Sequence, residues 1–127
     1  MIRTADVVVI GGGCMGASTA CFLARLGVTV ALVEKNYFAS GPTGQSSAVV
    51  RQHYSIEQLV ATSLRSLRVF QNFHEVVGGC PEFVKTGWLL LVDDGYAPIL
   101  RSLIEMQKKL GVNVELLSST ELNRLQP

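Results

Sequence analysis

The chain has 127 residues, with 11 Lys+Arg against 10 Asp+Glu and a formal net charge of +1. This balance argues against a protein that binds nucleic acid by neutralising phosphates, because such proteins carry an excess of basic residues. Hydrophobic residues make up 48% and charged residues 17%, which argues against a disordered chain and fits a domain with a buried core.

The cysteine and histidine content argues against a disulfide framework and against a metal site. The three cysteines are Cys14, Cys21 and Cys80. Their odd number and the lack of a C-x-x-C pair fit a reducing compartment, and we expect the cytoplasm. His53 and His74 are far apart in the sequence, and no metal site is expected. Glycines interrupt the apolar N-terminal stretch, so neither a signal peptide nor a membrane span is expected.

The first third of the chain predicts a strand, a glycine-rich turn, a helix and a second strand. Residues 7–10 are all β-branched, as is typical of a strand covered on both faces. A helix is predicted over residues 14–26, with Gly27 ending it. The second strand is predicted over residues 29–33 and is followed by Glu34. Crossovers of this kind join parallel strands.

The middle of the chain predicts a long loop and then a long helix. Residues 35–50 show no clean period and are rich in Gly and Ser, so we expect a loop. Apolar residues at steps of three and four predict a helix over residues 55–77. Ser55 and Gln58 have the spacing of a capping box at its start.

The last third predicts two further strands and two helices. Strands are predicted over residues 83–92 and 112–117, separated by a turn and a helix over residues 98–110. Ser118 and Glu121 form a second capping-box pattern before a short final segment.

The turn after the first strand has the spacing G-x-G-x-x-G, and its context favours dinucleotide binding. Gly11 permits the tight turn, Gly13 lets a diphosphate approach the backbone, and Gly16 lets the helix pack on the strand. Glu34 can accept hydrogen bonds from ribose hydroxyls, and its charge disfavours a 2′-phosphate. The alternative is a glycine-rich turn in an unrelated α/β protein, with Glu34 as a solvated strand end.

Two stretches resemble the D-amino-acid-oxidase-like flavoproteins, a family that includes sarcosine oxidases, glycine oxidase and dimethylglycine dehydrogenases. The first is residues 6–16, DVVVIGGGCMG, together with Ala20, Leu23, Gly27, Val30 and Glu34. The second is residues 41–54, GPTGQSSAVVRQHY, which is most similar to sarcosine oxidase beta subunits. Family members are much longer, so the resemblance implies an N-terminal portion that has little or no activity alone.

The resemblance implies an α/β fold and a site for FAD. A Rossmann-like FAD-binding βαβ region would occupy residues 1–82, and residues 83–127 would begin a mixed α+β substrate domain that is incomplete here. Residues at the diphosphate, the ribose and the flavin would bind the cofactor. They are Gly11, Gly12, Gly13, Cys14, Met15, Gly16, Glu34, Lys35, Gly44, Ser46 and Ser47. Lys35 could equally be a plain exposed lysine.

The resemblance also implies a reaction. The protein would oxidise an amine of an amino acid or N-methyl amino acid by hydride transfer to FAD. Arg51 matches an arginine that binds the substrate carboxylate in some members, although an ion pair or a phosphate contact would suit an arginine equally. Ala48 departs from the basic residue of monomeric sarcosine oxidases. No catalytic base is identified.

Two other functions stay open on the residues, and partners are implied as well. One is an NAD-dependent dehydrogenase, since both cofactors carry the ribose that Glu34 would bind. The other is a non-catalytic nucleotide-binding or assembly module. The expected partners are a small amino-acid or secondary-amine substrate and other oxidase subunits, with no nucleic acid.

Overall fold

The structure, a computed structural model, describes residues 4–125. Its strands and helices follow in chain order. They are β1 (Val7–Ile10), α1 (Cys14–Arg25), β2 (Val30–Val33), α2 (Pro42–Gln45), α3 (Glu57–Gln71), α4 (Phe73–Val76), α5 (Ala97–Lys109) and α6 (Ser119–Leu125), with a 3₁₀ turn at Asp94–Tyr96 before α5. The chain divides into two compact units at the junction between Val49 and Val50. The predicted boundary between residues 82 and 83 concerns the domains of longer family members and stays a prediction.

The first unit is the predicted βαβ unit. Strands β1 and β2 are parallel, with Val7 opposite Val30 and Ile10 opposite Val33. Helix α1 ends as predicted at Gly27, whose φ of +83° is left-handed. The Gly27 N–H donates to the Ala24 carbonyl and the Val28 N–H to the Leu23 carbonyl. These two bonds satisfy the last carbonyls of α1 and direct the chain back into β2.

One face of this two-stranded sheet is uncovered, which corrects the prediction of a strand covered on both faces. Val8 is 58% exposed and Ile10 is 88% exposed, while their neighbours Val7 and Val9 are half-buried. The reason is that α1 packs against both strands and, within residues 4–125, no element covers the alternate side chains.

Residues 35–50 are predicted from the sequence to form a loop throughout. The structure instead contains the one-turn helix α2 within this stretch. Proline begins this helix at Pro42, where its missing N–H costs nothing because the first-turn donors have no partner inside the helix. The short helix brings Thr43 back to the glycine turn, where its Oγ1 lies 3.0 Å from the Cys14 nitrogen.

The second unit begins with α3, which is shorter than predicted. Ile56 precedes the first helical residue, and in the described structure no side chain caps this end, so the capping box of Ser55 and Gln58 is wrong. The helix ends at Gln71 because the backbone of Asn72 leaves the helical conformation, with φ −119° and ψ +35°; the Asn72 backbone N–H and side-chain amide both donate to the Arg68 carbonyl, at 3.1 and 2.8 Å, and so cap this end. Helix α4 continues beyond this break.

The core of the second unit lies between α3 and α5. Its buried apolar residues are Val60, Leu100, Ile104 and Val112. Gln107 is a polar residue that is also buried in this unit. Helix α5 forms within one residue of its predicted bounds. It ends at Gly111, whose φ is +92° and whose N–H donates to the Lys108 carbonyl.

The two strands predicted in the last third are wrong. Residues 83–92 and 112–117 form no strand, and within residues 4–125 they pair with no other strand. A segment with the composition of a strand needs a hydrogen-bonding partner to become one, and among the described residues β1 and β2 pair only with each other. The capping box at Ser118 is confirmed, because the Ser118 N–H donates to Glu121 Oε2 at 2.8 Å and the Glu121 N–H to Ser118 Oγ at 3.3 Å.

Among the helices described, none has both the length and the apolar character needed to cross a membrane.

Candidate functional site

The glycine turn between β1 and α1 is fixed by backbone hydrogen bonds. Gly11 has a φ of +106°, a conformation that side chains disfavour, so glycine is required for the turn itself. The Gly11 N–H donates to the Val33 carbonyl at 2.8 Å, and the Ala39 N–H donates to the Gly12 carbonyl at 2.9 Å. The turn is therefore bound to the last residue of β2 and to Ala39 in the segment that follows β2.

Three glycines of the turn have different physical reasons for lacking a side chain. A Cβ on Gly16 would overlap the Gly11 carbonyl oxygen, so this glycine lets α1 pack directly on the turn. A Cβ on Gly12 would overlap the ring of Phe38. A Cβ on Gly13 would lie 3.0 Å from Thr43 Oγ1. The roles predicted for Gly11 and Gly16, a tight turn and close packing, agree with this geometry.

Glu34 lies directly beside the turn. Its Oε2 accepts from the Gly12 N–H at 2.7 Å, and its Oε1 accepts from the Asn36 N–H at 2.9 Å. Each carboxylate oxygen has two lone pairs, so both oxygens can still accept from a further donor such as a ribose hydroxyl. The structure thus brings together the glycine loop and the acid that the sequence paired.

The same contacts set the charge of Glu34. The hydrogen bond from the Gly12 N–H, and next that from the Asn36 N–H, hold the pKa of the Glu34 carboxyl below its ordinary value. A lowered pKa means that the Glu34 carboxylate makes its full contribution to stability at any pH above the pKa that this carboxyl has in the unfolded chain. That contribution is lost only as the pH falls through the lower folded pKa. The carboxylate is therefore ionised at neutral pH and can accept from a ligand.

Thr43 is a residue of this site that the sequence reasoning missed. Its Oγ1 accepts from the Cys14 N–H at 3.0 Å, at the N-terminus of α1. The first-turn N–H groups of a helix lack partners within it and carry partial positive charge. The available signal was the Gly41-Pro-Thr sequence, because a proline that begins a short helix places the next hydroxyl residue at a defined position.

The residues present fit a dinucleotide cofactor. Apart from Gly11 and its chain neighbours, no described atom lies within 4 Å of the position that a Cβ on Gly11 would take, so the turn is open to a ligand at Gly11. Beside it lie the positive end of a 12-residue helix and an ionised carboxylate with free lone pairs. A diphosphate suits the former and a ribose suits the latter.

The other predicted cofactor residues have local structural roles. The exposed Lys35 lies next to Glu34, and its N–H and its charge also lower the Glu34 pKa. The Gly44 N–H donates to the Ala39 carbonyl at 3.0 Å, and a Cβ on Gly44 would overlap that oxygen. Cys14 and Met15 begin α1 and are exposed.

The two predicted serines are exposed residues after α2. Ser46 Oγ donates to the Thr43 carbonyl at 3.1 Å and accepts from the Ala48 N–H at 3.2 Å, which organises the end of that helix. Contact of Ser46, Ser47, Lys35 and Gly44 with a cofactor stays a prediction.

Arg51, the predicted substrate-binding residue, lies in the second unit. It is exposed, and its guanidinium carbon lies 4.9 Å from the centre of the Tyr54 ring. This is the geometry of a cation–π contact, which restrains the side chain and leaves its donors free to bind an anion. Its role with a substrate stays a prediction.

The fold and the site define a dinucleotide-binding βαβ protein. The model of the family described as FAD dependent oxidoreductase matches residues 6–127, and the chain belongs to that family. This confirms the predicted resemblance and the predicted cofactor, FAD.

Known relatives agree with the family. The chain is 34% identical over 134 aligned residues to bovine (Bos taurus) FAD-dependent oxidoreductase domain-containing protein 1. The alignment covers 96% of this chain and 28% of the bovine protein. It is 45% identical over 51 residues to sarcosine oxidase subunit beta of Rhizobium meliloti (strain 1021), covering 39% of this chain and 12% of the relative.

A solved structure agrees with the fold. L-proline dehydrogenase from P. horikoshii superposes with a TM-score of 0.86 at 33% identity, covering 98% of this chain and 33% of that chain. This likeness confirms the predicted α/β class and its Rossmann-like βαβ unit. The chain spans about a third or less of the length of the relatives it matches.

Proposed function

We propose that the protein is an FAD-dependent oxidoreductase that oxidises the amine of an amino acid or N-methyl amino acid, with secondary amines such as sarcosine or proline as its substrate class. The observation that carries the flavin part is the contact of Glu34 with Gly12 in a glycine turn that is open at Gly11. The substrate class rests on relatives named for sarcosine and for L-proline, which are both secondary amines with a carboxylate on the adjacent carbon.

The residues of this chain would bind and orient. The glycine turn and the first turn of α1 would hold the FAD diphosphate, and Glu34 would accept from the adenosine ribose. When bound, FAD supplies the acceptor for a hydride from the carbon next to the amine nitrogen, which leaves an imine that water hydrolyses. Arg51 would pair with the substrate carboxylate through its guanidinium fork. Orientation of this kind raises the rate by fixing the reacting carbon in place.

The test is spectroscopic and uses the protein expressed from its complete coding sequence. We expect the purified protein to be yellow and to bleach under anaerobic conditions when sarcosine or L-proline is added. Dimethylamine and pyrrolidine, which are these substrates without the carboxylate, serve as matched controls and should bleach it far more slowly, because Arg51 then has no anion to bind. The 127-residue chain alone is expected to show weak or no turnover.

Two results would contradict the proposal. One is a colourless protein that gains no flavin absorption from added FAD. The other is turnover with a change in nicotinamide absorbance and no flavin bleaching, which would favour an NAD-dependent dehydrogenase.

Two further properties are part of the proposal. Assembly with other subunits is supported by the relative named subunit beta. A reducing cytoplasmic location is supported by the three free cysteines.

A further inference from the structure

The most unusual buried residue of the second unit is a glutamine. Gln107 is completely buried on α5, on the helix face that also carries the buried Leu100 and Ile104. An amide buried without partners costs free energy, so its partners identify what the residue does.

The partners of Gln107 are adjacent residues in one distant segment. Its Nε2 donates to the Tyr54 carbonyl at 3.1 Å. The Nδ1 atom of His53 lies 3.1 Å from Nε2 and 3.2 Å from Oε1 of the same amide. The imidazole is also in contact with the Trp88 ring, with 5.3 Å between ring centres. The Gln107 side chain thereby holds the backbone of Tyr54 and the side chain of His53 in place, in the same segment as Arg51.

The amide can keep this contact in either tautomer of His53. The Tyr54 carbonyl requires a donor, which fixes Nε2 at that position. If Nδ1 of His53 has no proton, it accepts from the second hydrogen of Nε2; if it has one, it donates to Oε1. The position of the segment therefore does not depend on which imidazole nitrogen carries the proton.

The link from Gln107 to Arg51 runs through Tyr54. The amide fixes the backbone of Tyr54, and the ring of that tyrosine lies under the Arg51 guanidinium at 4.9 Å. A tyrosine whose backbone is fixed has few remaining ring orientations, and a guanidinium stacked on it is restrained in turn.

We propose that Gln107 is a positioning residue for Arg51: its buried amide fixes His53 and Tyr54, and thereby orients the guanidinium that selects a substrate carboxylate. This inference rests on the proposed function for the role of Arg51, and on the contacts above for the role of Gln107.

The test compares Gln107→Met with Ile104→Val in the protein expressed from its complete coding sequence. Methionine keeps the length of the side chain and removes both hydrogen bonds, while Ile104→Val changes the buried face of α5 and leaves the amide intact. For sarcosine or L-proline, Gln107→Met is expected to raise KM about tenfold and to change kcat by less than about twofold. For dimethylamine and pyrrolidine, which lack the carboxylate, kinetics should match those of Ile104→Val.

A second readout does not require activity. Phenylglyoxal modifies arginine, and mass spectrometry of peptides measures its rate at Arg51. Loss of the stacked arrangement is expected to speed this modification roughly threefold in Gln107→Met and not in Ile104→Val. If the protein without substitutions oxidises sarcosine or L-proline, the KM values decide the role of Gln107. If it does not, the proposed function fails, and the rate of Arg51 modification alone decides the role of Gln107.

A pair of substitutions at His53 covers a Gln107→Met protein that fails to fold. His53→Asn places an amide atom near the position of Nδ1. It is expected to keep KM and the rate of Arg51 modification close to those of the protein without substitutions. His53→Leu removes the bond between His53 and Gln107 but keeps the bond from Gln107 Nε2 to the Tyr54 carbonyl, so it is expected to move the same readouts in the same direction as Gln107→Met and by less. The proposal is overturned if the deciding readout, KM or the rate of Arg51 modification, is the same in Gln107→Met and Ile104→Val. If Gln107→Met does not fold, the proposal is overturned if that readout is the same in His53→Leu and His53→Asn.

Discussion

Replacing Gly16 by alanine is expected to lower the free energy of unfolding by about 3 kcal/mol and to weaken FAD binding by roughly a hundredfold. The added Cβ would overlap the Gly11 carbonyl oxygen, which is a backbone atom and cannot move unless the turn moves. Helix α1 must therefore shift away from β1, and its first N–H groups shift with it. Urea denaturation measures the first effect, and titration of flavin-free protein with FAD measures the second.

Gly41 offers a matched control for the glycine substitution. Apart from Gly41 and its chain neighbours, no described atom lies within 4 Å of a Cβ at this position, and its φ of −92° is outside the left-handed region that favours glycine. Gly41→Ala should therefore change the stability by less than about 1 kcal/mol. Unchanged FAD affinity in Gly16→Ala would contradict the role given to the glycine turn.

Replacing Glu34 by glutamine is expected to weaken FAD binding by roughly thirtyfold. The carboxylate accepts from two backbone N–H groups, and an amide oxygen can stand at only one of those two positions. The substitution also removes the ionised acceptor that would face the ribose hydroxyls. Hydrogen bonds to a charged acceptor are about twice as strong as those between neutral groups. Equilibrium titration with FAD is the measurement.

Glu115→Gln provides the control for the loss of charge, because Glu115 is an exposed acid of the second unit. It should bind FAD as the unmodified protein does. Equal affinities for Glu34→Gln and Glu115→Gln would remove Glu34 from the ribose site.

The βαβ unit and its glycine turn could be predicted from the sequence because local signals determine them. The β-branched run, the glycine spacing and Gly27 each act within a few residues, and β1, α1 and β2 form within one residue of their predicted ends. The pairing of Glu34 with the turn followed from the same pattern.

The failures concern features that depend on distant partners. The run over residues 83–92 has the composition of a strand, but composition does not supply the second strand that its backbone needs. The break at Asn72 comes from a non-helical backbone conformation, with the asparagine side chain also bonded to the Arg68 carbonyl, and apolar periodicity does not register it.

Two residues of functional interest were missed for the same reason. Thr43 reaches the Cys14 N–H across 29 residues, and Gln107 reaches Tyr54 across 53. Neither contact has a local sequence pattern, because each depends on how helices α2 and α5 return to earlier segments of their own unit.

Equilibrium titration of the flavin-free protein with FAD and with FMN tests the central claim most directly, with ADP as a competitor. FMN lacks the adenosine and the second phosphate, which are the parts assigned to Glu34 and the glycine turn. We predict that FAD binds at least about a hundredfold more tightly than FMN and that ADP displaces it. Equal binding of the two flavins, with no competition by ADP, would contradict the account.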